Sequence, residues 1–72
     1  MIKLGVYQHY KGNRYRVLGI GKHSETLEDL VIYEPLYDNA QTKFWARPVS
    51  MFGEVVTKDG ESVPRFKYLD DN

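Results

Sequence analysis

The sequence predicts a small all-β domain, in which five or six short antiparallel strands and one short helical turn form a compact, strongly curled barrel or roll. The first observation is length: 72 residues with 42% hydrophobic content can build one small core, so residues 1–72 are expected to form a single domain. The second is a series of aromatic and β-branched runs that recur about every 8–12 residues between turn formers. The third is the absence of cysteine, which leaves packing and strand pairing to supply the stability.

The first predicted strands, residues 6–10 and 15–20, form a hairpin. Between them, Gly12 and Asn13 tolerate the positive φ of a tight connection. A third strand over residues 31–37 contains Pro35, which donates no ladder hydrogen bond and so indicates an edge, a bulge or a bend. A fourth strand over residues 44–49 follows the turn-forming residues 38–41.

A second hairpin is predicted near the C-terminus. Residues 54–57 and 62–68 flank Asp59-Gly60, a strong hairpin signal. Residues 50–53 are long enough for a single 3₁₀ turn, and only residues 24–30 could otherwise be helical, giving barely one turn. Mid-strand positions and the closing turn predict that Val17, Ile32 and Phe52 belong to the core.

The charges are sorted along the chain although their total is zero. Residues 1–23 carry five bases and no acid, whereas residues 24–42 carry five acids and no base. An antiparallel hairpin would use such sorting for cross-strand ion pairs. The alternative is a basic segment that contacts a polyanion, which the zero total disfavours.

The ends of the chain and its hydropathy bear on location. No run approaches the roughly 18 consecutive apolar residues of a membrane span. The first residues also lack the basic, apolar and cleavage regions of a signal peptide. We therefore expect a cytoplasmic protein with no membrane partner; the oligomeric state is open, with a monomer as the simplest case.

The polar inventory offers little for catalysis or metal binding. His9 and His23 are the side chains that ordinarily titrate near neutrality, and no nucleophile motif accompanies them. His23, Glu25 and Glu28 lie close in sequence, yet their spacing matches no metal motif, so neither a metal nor another cofactor is expected. The structural alternative is that His23 ends a strand while nearby hydroxyls cap a turn.

Aromatic density is more informative. Six Tyr, three Phe and one Trp exceed what a narrow interior can hold, so some must reach the surface. Trp45 and Arg47 are two residues apart, hence on one side of a strand, where an indole and a guanidinium can bind a planar anion. Arg47 could instead form a salt bridge with Glu25, Glu28 or Glu34. The candidate binding residues are Tyr10, Arg14, Tyr15, His23, Glu25, Tyr33, Trp45 and Arg47.

Four blocks of the sequence resemble a known family. They span residues 5–17, 23–28, 31–37 and 45–52, and include His-Tyr-Lys-Gly at 9–12, His-Ser-Glu-Thr at 23–26 and Trp-Ala-Arg-Pro at 45–48. Over residues 5–68 the chain closely resembles a bacterial family of small proteins of unknown function, domain-of-unknown-function family 1653. The resemblance implies an SH3-like barrel and brings no activity with it.

Three functional hypotheses remain open. The first is a noncatalytic binding or interaction module whose aromatic and basic groove takes a protein, a peptide or a nucleotide-like ligand. The second is binding of single-stranded nucleic acid or nucleotides by stacking, aided by the basic segment. The third is a small metal-dependent or hydrolytic enzyme centred on His9 and His23.

Overall fold

The computed structural model describes residues 2–38 and 42–71. Within these ranges the chain forms seven strands and one short helix. In chain order they are β1 (Gly5–His9), β2 (Arg14–Lys22), β3 (Asp29–Pro35), β4 (Trp45–Pro48), α1 (Val49–Phe52), β5 (Val55–Lys58), β6 (Glu61–Pro64) and β7 (Phe66–Asp70).

The strands form two antiparallel sheets. One has the order β4-β3-β2-β1-β7, and the other is the hairpin β5-β6. Within the described ranges no pairing joins β4 to β7, because β4 runs directly into α1 and the chain leaves the sheet through β5 and β6 before β7 returns beside β1. The predicted all-β domain with one short helical turn is confirmed, as two sheets and not as a closed barrel.

The last predicted strand is divided in two. Sequence patterning predicts one strand over residues 62–68, whereas β6 pairs with β5 and β7 pairs with β1 on either side of Arg65. The N–H of Arg65 donates to the carbonyl of Glu54 at 2.9 Å, and its carbonyl accepts the N–H of Tyr10 at 2.9 Å. Pro64, which has no N–H, marks the break.

The predicted turns have mixed outcomes. Asp59 and Gly60 both adopt positive φ, at 52° and 81°, so the Asp-Gly hairpin is confirmed. The single helical turn lies at α1, next to its predicted position, whereas residues 24–26 form a turn and no helix. Most of the predicted turn at residues 38–41 lies outside the described residues.

The core lies on one face of the five-stranded sheet, which we call the inner face. The side chains of this core are less than a tenth exposed: Tyr7, Val17, Val31, Tyr33, Phe52 and Phe66. Burial of Val17 and Phe52 is confirmed. The prediction for Ile32 is wrong: it is half-buried on the opposite face, while its neighbour Val31 is fully buried, because strand alternation turns Val31 and Tyr33 inward.

The sorted charges pair across the β2–β3 hairpin. Arg16 and Glu34 are register partners whose charged groups lie 3.9 Å apart, and Lys22 and Asp29 are partners 2.7 Å apart. Each exposed pair is worth about 0.2–1 kcal/mol. The interpretation of the charge pattern as cross-strand pairing is therefore confirmed.

Over residues 2–38 and 42–71 there is no helix with the length and apolar character that a bilayer crossing needs.

Candidate functional site

Four rings from four strands meet at one end of the inner face; we call this group, His9, Tyr15, Tyr33 and Phe66, the aromatic end. The ring of Tyr15 lies 5.4 Å from that of Tyr33 and 5.7 Å from that of Phe66. The ring of His9 lies 4.9 Å from that of Phe66, its register partner on β7. These edge-to-face contacts fix the ring positions through packing, each worth about 0.5–1.5 kcal/mol.

Arg47 extends from β4 over this end. Its Nε donates to the hydroxyl of Tyr33 at 3.3 Å, and its guanidinium carbon lies 5.5 Å from the ring centre of Phe66. Among the described residues no carboxylate forms a salt bridge with it, and Glu34, one of the predicted partners, pairs with Arg16 instead. The guanidinium is thus half-buried against aromatic rings, with its two terminal nitrogens unbonded to any described residue.

The pKa of the His9 ring depends on the burial and charges at the aromatic end. Its Nδ1 accepts the N–H of Lys11 at 3.2 Å, which places the ring proton of the neutral form on Nε2. Burial lowers the pKa of His9 below its ordinary value, and the nearby charges of Arg47, Arg65 and Lys11 lower this pKa further. The site is therefore electropositive and holds a neutral imidazole near neutral pH.

Arg65 supplies a second guanidinium near His9. One of its terminal nitrogens donates to a carboxylate oxygen of Glu54 at 3.3 Å. Its Nε is buried and has no hydrogen-bond partner among the described residues. A buried donor without a partner costs about 1–3 kcal/mol. Arg65 is therefore ion-paired with Glu54, whereas Arg47 has no carboxylate partner among the described residues.

Two tyrosine hydroxyls meet at the solvent side of the aromatic end. The hydroxyl oxygens of Tyr15 and Tyr37 lie 3.1 Å apart. Burial, followed by the hydrogen bond to Tyr37, raises the pKa of Tyr15 to about 12. Tyr15 is consequently a hydroxyl rather than a phenolate at neutral pH, and it can donate a hydrogen bond.

The structure brings several predicted site residues to this region. Trp45 pairs in register with Tyr33 and packs, half-buried, on the core, so it shares the inner face with Arg47 as alternation predicts. The ring of Tyr10 lies 4.6 Å from that of His9, beside the aromatic end. Arg14 begins β2 and is exposed.

His23 and Glu25 lie at the other end of the β2–β3 hairpin. They follow Lys22, seven residues along β2 from Tyr15, which corresponds to about 23 Å at the usual rise per residue. The Nδ1 of His23 accepts the N–H groups of Glu25 and Thr26 at 3.1 and 3.3 Å, and this holds the turn. The structure does not bring His23 to His9.

Across the residues that the structure describes, no three His, Asp or Glu side chains come close enough to hold one ion.

Sequence reasoning missed three members of the region: Tyr37, Arg65 and Phe66. Arg65 and Phe66 were assigned to a strand paired with β5, because the break after Pro64 was not recognised. The Pro64-Arg65 step was the available signal, since proline interrupts a strand ladder. Alternation predicts Tyr37 on the face of Tyr33, but it does not by itself mark Tyr37 as a contact residue.

Comparisons with known proteins support the family resemblance. None of the curated proteins compared with the sequence matches it. A crystal structure of a DUF1653 protein from Bordetella bronchiseptica is similar, with a TM-score of 0.93 and 35% sequence identity, covering 99% of this chain and 91% of that one. The model of a family described as "protein of unknown function (DUF1653)" matches residues 5–68. The chain therefore belongs to the DUF1653 family.

Proposed function

We propose that the chain is a noncatalytic binding module that recognises an anionic group at the aromatic end. The observation that carries the proposal is Arg47: a half-buried guanidinium held by Tyr33 and Phe66, with no carboxylate partner among the described residues. Charged groups that are partly buried are normally paired. The guanidinium of Arg47 has no such partner among the described residues and its terminal nitrogens can still donate hydrogen bonds, which favours an external anion.

The neighbouring groups suit such a ligand. The terminal nitrogens of a guanidinium bind a carboxylate or a phosphate through two parallel hydrogen bonds. The hydroxyl of Tyr15 adds a further donor, and the ring contacts hold these donors in place before binding, which reduces the entropy lost on association. The positive field that lowers the pKa of His9 acts on an incoming anion with the opposite sign.

The hydrogen bonding of His9 supports a noncatalytic role. Its Nδ1 is occupied by the N–H of Lys11, and burial, followed by the cations Arg47, Arg65 and Lys11, lowers its pKa. A catalytic imidazole is commonly oriented by a carboxylate and faces a nucleophile. The ring of Tyr15 lies 6.4 Å from that of His9, and its pKa, raised to about 12, leaves little phenolate to act as a nucleophile at neutral pH.

Amide chemical-shift mapping of the ¹⁵N-labelled chain tests the proposal. We expect sulfate and adenosine monophosphate to shift the amides of Tyr33, Trp45 and Phe66, with sodium chloride at equal ionic strength as the reference. Arg47→Lys should weaken binding at least five-fold, because lysine keeps the charge but lacks the planar fork. Arg14→Lys, at an exposed arginine outside the aromatic end, is the matched control. Equal loss in both variants, or no shifts at this end, contradicts the proposal.

Single-stranded nucleic acid is a second candidate ligand. It is favoured by the exposed Lys11, whose ammonium lies 5.9 Å from the ring centre of Tyr10, and by the exposed Arg14. Against it, Arg16 is engaged with Glu34. Fluorescence anisotropy with an oligothymidylate tests the nucleic-acid candidate. An affinity that falls steeply with salt supports this candidate, and absence of binding at low salt contradicts it.

A further inference from the structure

A groove of about 400 Å³ lies outside the aromatic end, between the β1–β2 turn and the β5–β6 hairpin. Its walls include Tyr10 on one side and Val63 and Pro64 on the other, with His9 at the boundary to the aromatic end. The volume falls within the range of about 300–1,000 Å³ that small-molecule sites occupy, at its lower end. Its size therefore suits a compact ligand.

The walls favour a small molecule over an extended peptide. A peptide that added a strand to the β5–β6 hairpin would need backbone N–H groups along β6. Pro64 has none, so the strand edge is interrupted where it borders the groove. Tyr10 and Val63 are half-buried and present apolar surface. These walls match the flat apolar body of an aromatic compound.

Two lysines border the groove, and no acidic side chain lines it. The ammonium of Lys58 donates to the carbonyl of Tyr10 at 3.0 Å, across the groove from its own hairpin. Glu61 is the register partner of Lys58, yet no salt bridge joins them. Lys67 is exposed and forms no salt bridge with any described residue. Apolar walls and two ammonium groups without carboxylate partners therefore meet in one place.

We propose that this groove binds an aromatic carboxylate, with the ring against Tyr10, Val63 and Pro64 and the carboxylate near Lys58 and Lys67. The inference stands apart from the proposed function, because it depends on different cations and a different part of the surface. Lysine ammonium groups attract an anion as point charges and do not require it to bind in one plane, as a guanidinium does. The ring supplies the apolar contact that distinguishes this ligand from a simple inorganic ion.

Amide shifts of the full-length ¹⁵N-labelled chain give the test, with benzoate as the probe and benzamide as its neutral counterpart. Benzoate should shift the amides of Gln8, Gly12, Val63 and Lys67 in a saturable manner, and benzamide should bind at least ten-fold more weakly. Acetate, which carries the charge without the ring, should also bind at least ten-fold more weakly. Equal binding of benzoate and benzamide, or shifts confined to the aromatic end, overturns the proposal.

Two lysine variants complete the experiment. Lys67→Gln should weaken benzoate binding at least five-fold, whereas Lys43→Gln, which removes the same charge away from the groove, should leave it within two-fold. Arg47→Lys should also leave benzoate binding within two-fold, so failure here and failure of the proposed function are distinguishable. If Lys67→Gln binds benzoate as tightly as Lys43→Gln, the groove is not the site.

Discussion

At the residue scale, the central feature is a cation stabilised by aromatic rings and a hydroxyl. Arg47 contacts Tyr33 and Phe66, and its positive charge adds to the effect of burial in lowering the pKa of His9. A guanidinium over an aromatic face gains about 0.5–1 kcal/mol when exposed and more when desolvated. This contact accounts for the position of Arg47 without a carboxylate, and it leaves the terminal nitrogens to a ligand.

The lowered pKa of His9 makes the stability depend on pH. The unfolded chain binds the proton at the ordinary value of about 6.5, whereas the folded chain binds it at a lower pH. Stability from the neutral ring is therefore fully present above pH 6.5 and is lost as the pH falls through the folded pKa. Urea unfolding at pH 7.5 and 5.5 should show a lower free energy of unfolding at pH 5.5. In His9→Gln the difference in the free energy of unfolding between the two pH values should shrink. An unchanged difference contradicts the assignment of this pH dependence to His9.

Part of this site was predictable from sequence, and the reason is strand alternation. The two-residue spacing of Trp45 and Arg47 places them on one face, as the structure shows. The presence of Arg65 and Phe66 at this site was not predictable in the same way. Phe66 lies on β7, which pairs with β1 about sixty residues earlier in the chain, and Arg65 directly precedes β7; such long-range pairing leaves no local pattern.

At the element scale, β3 shows how alternation decides burial. Val31 and Tyr33 point inward and are nearly inaccessible, while Ile32 between them is half-buried on the opposite face. The sequence shows apolar residues on both faces of this strand, so period-two reasoning alone could not tell which face is the core. The wrong prediction for Ile32 arose from this ambiguity.

Alanine variants of β3 separate the two faces. Val31→Ala should lower the free energy of unfolding by about 2 kcal/mol, because it deletes fully buried methyl groups and leaves a cavity. Ile32→Ala should cost less, about 1 kcal/mol, although more atoms are removed, because the side chain is half-exposed. Thermal and urea unfolding measure both. A larger loss for Ile32→Ala would reverse the assignment of the inner face.

Gly5 marks the point where β1 meets β7. Its φ is +136°, and a Cβ added there would clash with the backbone carbonyl oxygen of Asp70. Gly5→Ala should therefore destabilise the chain by more than about 1 kcal/mol, because both backbone strain and a clash with backbone are introduced. Gly19→Ala is the matched control, since nothing lies within 4 Å of its added Cβ, and it should stay within about 0.5 kcal/mol. Equal melting temperatures for the two variants would contradict the β1–β7 geometry.

At the scale of the whole molecule, the distribution of charge matters more than its total of zero. The basic β2 and acidic β3 neutralise each other through Arg16–Glu34 and Lys22–Asp29. Hairpin topology made this pairing predictable from sequence, because neighbouring antiparallel strands bring sorted charges face to face. Positive charge is left around His9, where Arg47 on β4 and Arg65 between β6 and β7 lie far from it in sequence, and only Arg65 is ion-paired, with Glu54, among the described residues.

The most direct test of anion recognition at the aromatic end is an NMR pH titration of the His9 ring, with sulfate and with sodium chloride at equal ionic strength. Sulfate stays doubly negative throughout and would offset the positive field of Arg47. We expect sulfate to raise the pKa of His9 from its lowered value, and Arg47→Lys to weaken this response. The His23 ring, at the far end of the β2–β3 hairpin, serves as the internal control. A His9 pKa that is the same in sulfate and in sodium chloride would show that no anion binds beside Arg47.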